Sequence, residues 1–527
     1  MKERKPTHMQ PPDSLSQLSR GLTQARLTRR DMLKRVVAVG AGATALPGLL
    51  AACAPAGPTS KPADNGATKQ EAKPKTLQAL YVGVEANVDS IRYAANKYKQ
   101  QEGIDVNIDS FPQTAMREKL FAELGARSSH YDVVLIDHPW GPATAPHLLD
   151  LRAFIDNPNV TDPKVLAADD IIPQTWAQVA FDQAKPWFPP MEFQLPDYIW
   201  KGPVDFTKWG QTNFAVTGIP FHPNVLVMAY RLDYFENPQI QAKFKSQYGR
   251  DLAPPEDWDQ FLDVAKFFTK SQNPDSPTDF GSTLMAKKHE SLYTDWRTWN
   301  RTFGVVEINE KMEPNLNNAD AVRATTFYAD LINKHQVVPK GALTWTWDEV
   351  TTAWGSGQTA IGMNYHRMKL DPKIEASGGK AGFTLVPGQR QPDGSVLRAP
   401  HYGTYFLAVN KYSKNPRWAY DFVLNASSPD WQREYGKFLF HSSRLSYYKD
   451  PEVQKTRPEY WPAFSEGLKI GYARPRIGVY VEYSETIQAE VSRYLLGEQD
   501  LSTAFGNATK NIREIFTREH YFDQLNG

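Results

Sequence analysis

The chain predicts an α/β fold with more than one core. Its 527 residues exceed what one ordinary domain needs. Strand-like and helix-like apolar patterns alternate after residue 75, and alternation of that kind gives a mostly parallel sheet covered on both faces. The composition, 41% hydrophobic and 23% charged with 14 Trp, is that of a globular protein rich in aromatics. The net charge of +1 is unevenly placed. Residues 1–52 hold nine Lys/Arg against three Asp/Glu, so the remainder is acidic and gives no electrostatic footprint for nucleic acid.

The first 75 residues stand apart from the fold. Thr28-Arg29-Arg30-Asp31-Met32-Leu33-Lys34 resembles a twin-arginine export motif. Val36–Ala52 is uncharged, short for a membrane span, and weakened as a helix by Pro47 and three glycines. It ends in Leu50-Ala51-Ala52-Cys53, which resembles a bacterial lipobox, where the cysteine becomes the lipidated first residue of the exported chain. Residues 1–52 are expected to be a signal peptide and 53–75, rich in Pro, Ala and Lys, a lipid-anchored tether. The protein is then exported and held at the periplasmic or outer face of the cell membrane. Cys53 is also the only cysteine, which excludes an intrachain disulfide or a multi-cysteine metal site. No metal or other cofactor is expected.

From residue 76 the elements follow in order. Thr76–Val82 reads as a buried strand, Val88–Gln101 as a helix with Ile91, Ala94, Ala95 and Tyr98 on one face, and Ile104–Ile108 as a strand. Thr114–Leu124 is helical and Tyr131–Ile136 a buried strand. A helix is predicted over Ala145–Ile155. In such sheets ligands sit beyond the carboxyl ends of strands, which places Asp137, His138 and Trp140 in a crevice. The competing roles are a turn cap for Asp137 and a solvated side chain for His138.

The densest signal is Gly341–Met363. Trp345 and Trp347 precede a helix that starts at Asp348-Glu349 and stops at Gly355-Ser356-Gly357, before the short strand Ala360–Met363. Flat aromatic faces at a helix start suit a sugar ring, whose C–H face packs on the aromatic while its hydroxyls find polar groups at the edge. Core filling is the alternative for each tryptophan.

Several segments in order carry a family resemblance: Gly103-Ile104-Asp105-Val106, Lys119-Leu120, Tyr131–Val134, Leu148-Leu149-Asp150-Leu151, Thr217-Gly218-Ile219-Pro220, Pro254–Phe261, Ser413-Lys414-Asn415 and Arg474-Pro475-Arg476. Over most of 76–527 the chain resembles family 1 extracellular solute-binding proteins, the sugar-capturing lipoproteins of ABC importers with a maltose-binding-protein-like fold. The resemblance implies a class II periplasmic-binding-protein-like architecture: two discontinuous lobes around a hinged cleft. One lobe is expected from 76–185 and 399–440 and the other from 216–388 and 447–527, with crossings at 186–215, 389–398 and 441–446. It also implies cleft positions for His222 and Asn224, for Trp296 or Trp299 on an aromatic helix, for Asn364 and His366 at a strand end, for Tyr402, and for Arg444 in a loop. The implied partners are a carbohydrate ligand and importer permease subunits, with the chain itself a monomer.

Enzyme motifs are few. There is no P-loop, no Gly-x-Ser-x-Gly elbow, and His289-Glu290 lacks the second histidine of a zincin. The sequence leaves a polyol, glycerophosphodiester or polyamine as alternative ligands. A lipid-anchored glycoside hydrolase is the alternative of another class, because acids are plentiful.

Overall fold

A computed structural model describes residues 71–83, 85–182, 214–309, 311–365 and 368–522. The export segment, Cys53, most of the tether and His366 lie outside these residues. Lys69–Gly527 form one compact unit. No helix among the described residues is long and apolar enough to cross a membrane.

The first sheet begins as the alternating pattern requires. Strand β1 (Thr76–Val82) leads to helix α1 (Glu85–Glu102), β2 (Asp105–Phe111), α2 (Gln113–Gly125) and β3 (Val133–Asp137). β1 lies between β2 and β3 and pairs with both in parallel. β3 is buried along its whole length, as expected of a strand covered on both faces. The segment 145–155 is not the predicted helix. Prolines at 142 and 146 limit it to short turns, Ala145–His147 is a single 3-10 turn, Leu148 turns extended and bridges Asn410, and only Arg152–Ile155 is α-helical.

The chain next forms the short antiparallel pair β4 (Ala180–Asp182) and β5 (Phe214–Val216), then β6 (Ile219–Val225) and β7 (Val227–Arg231). β6 pairs with a long later strand of the first sheet, whereas β7 is central in a separate sheet. Residues 219–225 therefore belong with the first sheet, and the chain passes to the second sheet at Leu226.

The second lobe is built on that antiparallel sheet, in which β7 is flanked by β8 (Ile361–Asn364) and β9 (Ala381–Leu385). Its helices include α3 (Trp258–Phe267), α4 (Glu290–Thr302), α5 (Ala319–Asn333) and α6 (Trp347–Gly355). Each starts where a side chain caps it. The Asp257 carboxylate accepts from the Gln260 N–H at 2.8 Å, and Asn318 accepts from Ala321 at 2.9 Å. Thr346 and Glu349 form a reciprocal capping box on α6. The lobe's interior holds Trp258 stacked on Trp299, with centroids 3.5 Å apart.

A hairpin of β10 (Gln389–Arg390) and β11 (Val396–Leu397) carries the chain back to β12 (His401–Val409). β12 runs antiparallel to β3 on one side and to β6 on the other. Helices α7 (Pro416–Ala426) and α8 (Trp461–Ile470) follow. The two-residue strand β13 (Tyr472–Ala473) then pairs in parallel with the start of β12. The chain closes with α9 (Tyr480–Leu495) and α10 (Leu501–Arg518), which pack on each other and through α9 on α4.

Candidate functional site

The strand ends of both sheets meet at one cavity. The first lobe supplies Val82 from the end of β1, Asn87 from α1, Gln113 from the start of α2, Asp137 from the end of β3, Asn224 from β6, and His401, Gly403 and Tyr405 from β12. The second lobe supplies Thr294 from α4, Trp347 from the first turn of α6, Asn364 from the end of β8, and Tyr365. Arg474, just past β13, completes the wall. The cavity volume is about 80 Å³.

Each polar group is held by neighbours that fix its direction. The Asn364 amide donates to the Trp347 carbonyl at 2.8 Å and to the Thr351 hydroxyl at 2.9 Å, tying the end of β8 to α6. The Tyr365 hydroxyl and His401 Nδ1 are 2.5 Å apart, a hydrogen bond from the second lobe to the first. Gln113 donates to the Tyr405 hydroxyl at 3.0 Å. Gly403 leaves room for a close approach: a Cβ there would stand 3.3 Å from Arg474 Nη2, tighter than an ordinary contact.

The charges on the wall face one another. Arg474 Nη2 donates to the buried Asp137 carboxylate, and Nη1 to Glu290 at 3.0 Å, so one guanidinium joins the end of β3 to the start of α4. Burial pushes the Asp137 carboxyl up, and Arg474 opposes that shift. Burial and then the Arg474 charge hold His401 well below the usual imidazole range, so its ring is neutral. Among the described residues no group of three or more His, Cys, Asp and Glu is placed to hold a metal.

Of the residues singled out in the sequence, Asp137, Asn224, Trp347 and Asn364 line this cavity. His366 is outside the described residues, and the rest lie away from the cavity. His138 is buried behind Asp137, with Nδ1 accepting from the Thr404 N–H at 3.2 Å. Trp140 packs edge-on against Phe121 in the first core. His222 stacks on His441 and bonds that residue's carbonyl at 3.0 Å. Trp296 donates to Thr325 inside the second lobe, and Trp299 stacks on Trp258. Trp345 is half-buried against the core, beside the wall formed by Trp347. Tyr402 points to the face of β12 opposite His401 and accepts from Thr404 Oγ1 at 2.7 Å.

Arg444 is a correction of a different kind. It is fully buried, and its guanidinium donates to the carbonyls of Leu166 (2.7 Å), Ala167 (2.9 Å) and Ser427 (2.8 Å from Nε). It ties loops of the first lobe together and does not reach the cavity.

Asn87, Gln113, Thr294, His401, Tyr405 and Arg474 were not singled out for the site. Alternation along β12 places 401, 403 and 405 on one face, a signal that was present in the sequence.

Two lobes whose strand ends line one small cavity are the architecture of a periplasmic-binding-protein-like solute binder. The chain matches the family described as bacterial extracellular solute-binding protein over residues 84–433, and it belongs to that family. A probable ABC transporter-binding protein of Deinococcus radiodurans is 24% identical over 431 residues, covering 80% of this chain and 89% of the relative. The erythritol/L-threitol-binding protein of Mycolicibacterium smegmatis is 23% identical over 413 residues, covering 75% and 76%. Maltose-bound MalE3 of T. maritima superposes with a TM-score of 0.66 at 22% identity, over 84% of this chain and 99% of that one. The family match makes the chain an extracellular solute-binding protein, and the likeness to MalE3 shows a maltose-binding-protein-like fold.

Proposed function

We propose that this protein captures a carbohydrate, a sugar or a polyol, in the cavity between its lobes and delivers it to the permease subunits of an ABC importer. The twin-arginine motif would direct its export and lipidated Cys53 would anchor it. The observation that carries the ligand reading is the pairing of the Trp347 ring with amide, imidazole and hydroxyl groups on one enclosed wall. Ring faces take C–H surfaces, and the polar edges take hydroxyls. A polyamine would need free carboxylates, whereas Asp137 is already bound to Arg474. A phosphate would need free cationic groups, and the guanidinium on the wall, Arg474, is shared by Asp137 and Glu290. Hinge closure favours ligand only if the closed form binds it better, and the cavity receives groups from both lobes.

A thermal-shift screen of residues 69–527 against sugars, polyols, glycerophosphodiesters and polyamines tests the ligand. A ligand at a hundredfold over its dissociation constant stabilises by about 2.7 kcal/mol. A shift with a sugar or polyol, recovered intact, is the expected result. A shift confined to phosphates or polyamines, or recovery of cleaved product, overturns it. For the anchor, Cys53→Ala is expected to move the protein from the membrane to the soluble fraction.

A further inference from the structure

The two lobes also touch outside the cavity. Arg117 follows Gln113 by one helical turn on α2, so the two share a face. Its guanidinium donates to the Glu485 carboxylate on α9 at 3.0 Å. α2 belongs to the first lobe, and α9 packs on α4 of the second. The Arg117 side chain is 19% exposed and that of Glu485 49%, so this pair is reached by water at the rim of the cleft. Deeper in, Arg474 Nη1 donates to Glu290 at 3.0 Å and joins the end of β13 to the start of α4. Both pairs are made by the chain alone.

Each of these charges keeps a partner when the lobes part. Arg474 retains the Asp137 carboxylate, which ends β3 of the same sheet as β13. Glu290 retains the Tyr480 hydroxyl, the Ser484 hydroxyl at 3.3 Å and the Gln488 amide at 3.1 Å, all on α9 of its own lobe. Arg117 and Glu485 exchange one another for water. Stranding a buried charge would make separation very costly, and here no charge is stranded. These contacts therefore favour the closed arrangement and can still be given up.

We propose that Arg117–Glu485 and Arg474–Glu290 form an inter-lobe clasp that populates the closed form of the free protein. Arg117 and Glu485 then act as positioning residues: they lie off the cavity wall, yet they set affinity. A ligand that selects the closed form binds with its intrinsic affinity reduced by the fraction of protein already closed, and the clasp raises that fraction. The effect is the same for any ligand, so it stands apart from the carbohydrate reading above.

The test uses no ligand. Residues 69–527 contain no cysteine, so Arg92→Cys on α1 and Lys340→Cys ahead of α6 can each carry one nitroxide. Both positions are exposed, and α1 and α6 supply opposite lobes' shares of the cavity wall through Asn87 and Trp347. Pulsed electron–electron double resonance then gives the distribution of distances between the lobes. A short-distance population is expected in the free protein. Arg117→Gln and Glu485→Gln should each raise the ratio of long to short distances about two- to fivefold, and about 1 M salt should do the same to the wild type. Glu290→Gln should raise it further, because that pair is less exposed, at 5% and 13%. Exchanging the charges, Arg117→Glu with Glu485→Arg, should restore the wild-type ratio. Long distances alone in the wild type, single variants that match the wild type, or an exchanged pair that stays as open as the single variants would each overturn the clasp. A lower melting temperature with unchanged distances would make the rim pair a prop of the fold and overturn it equally.

Discussion

Asp295 lies on the buried side of α4, 2% exposed, one residue after the cavity-lining Thr294. Its Oδ2 accepts from the Met285 N–H and the Tyr328 hydroxyl, both at 3.0 Å. No cation stands within salt-bridge distance among the described residues. Burial therefore dominates and pushes the carboxyl up to about 7, against about 3.9 in an unfolded chain. Between those values the folded protein keeps a proton that the unfolded chain has released, so raising the pH favours unfolding. The contribution is full below about pH 4 and is lost as pH rises through about 7. About three pH units at 1.36 kcal/mol each make it on the order of 4 kcal/mol. Asp295→Asn keeps the shape and both hydrogen bonds, because the amide oxygen can replace Oδ2, and it has no charge to bury. Urea midpoints of both proteins, taken from about pH 4 to about pH 8, isolate this group because other titrations cancel in the difference. The variant should gain on wild type steadily as pH rises and exceed it above neutrality. Parallel curves would refute the reasoning.

Other perturbations follow from the same packing. Arg444→Ala strands three backbone carbonyls and should cost on the order of 3–5 kcal/mol in urea unfolding, with the affinity of the folded fraction unchanged. Trp299→Ala removes a stacked, fully buried ring and should cost about 3–5 kcal/mol, again without a selective effect on binding. Gly403→Ala presses a methyl toward Arg474 Nη2. A loss of about 1–3 kcal/mol in stability should come with weaker ligand binding by titration, in contrast to the other two.

Much of the scaffold was legible because its signals are local. The β1–α1–β2–α2–β3 order follows from apolar periodicity, and Asp137 and Asn364 reach the cavity because they end strands. Trp347 does so because a capped helix start fixes its place. The failures share one cause, the choice of face. On β12 Tyr402 was singled out, one residue from His401, and a step of one along a strand turns the side chain to the other side of the sheet. On α4 the tryptophans mark the face that packs on α3 and α5, while Thr294 and Thr298 mark the side toward β12. Arg444 misled for a different reason: a buried guanidinium bound only to carbonyls leaves no charge pattern in the sequence. Arg474 stood in a quoted motif, but its two carboxylates, Asp137 and Glu290, are 337 and 184 residues away along the chain. No local pattern reports such a meeting.

Leu226 is all that separates β6, in one sheet, from β7, in the other. Its N–H is bound to the His401 carbonyl at 2.9 Å, so the junction has no slack to absorb a change in length. One residue inserted there would either turn every side chain of β7 to the wrong side or pull His401 off the cavity wall. Length variation in the lineage should therefore collect in places such as the hairpin tip at 391–395. Position 226 should behave as a fixed coordinate, constant in number of residues and, because its side chain is fully buried, apolar in character.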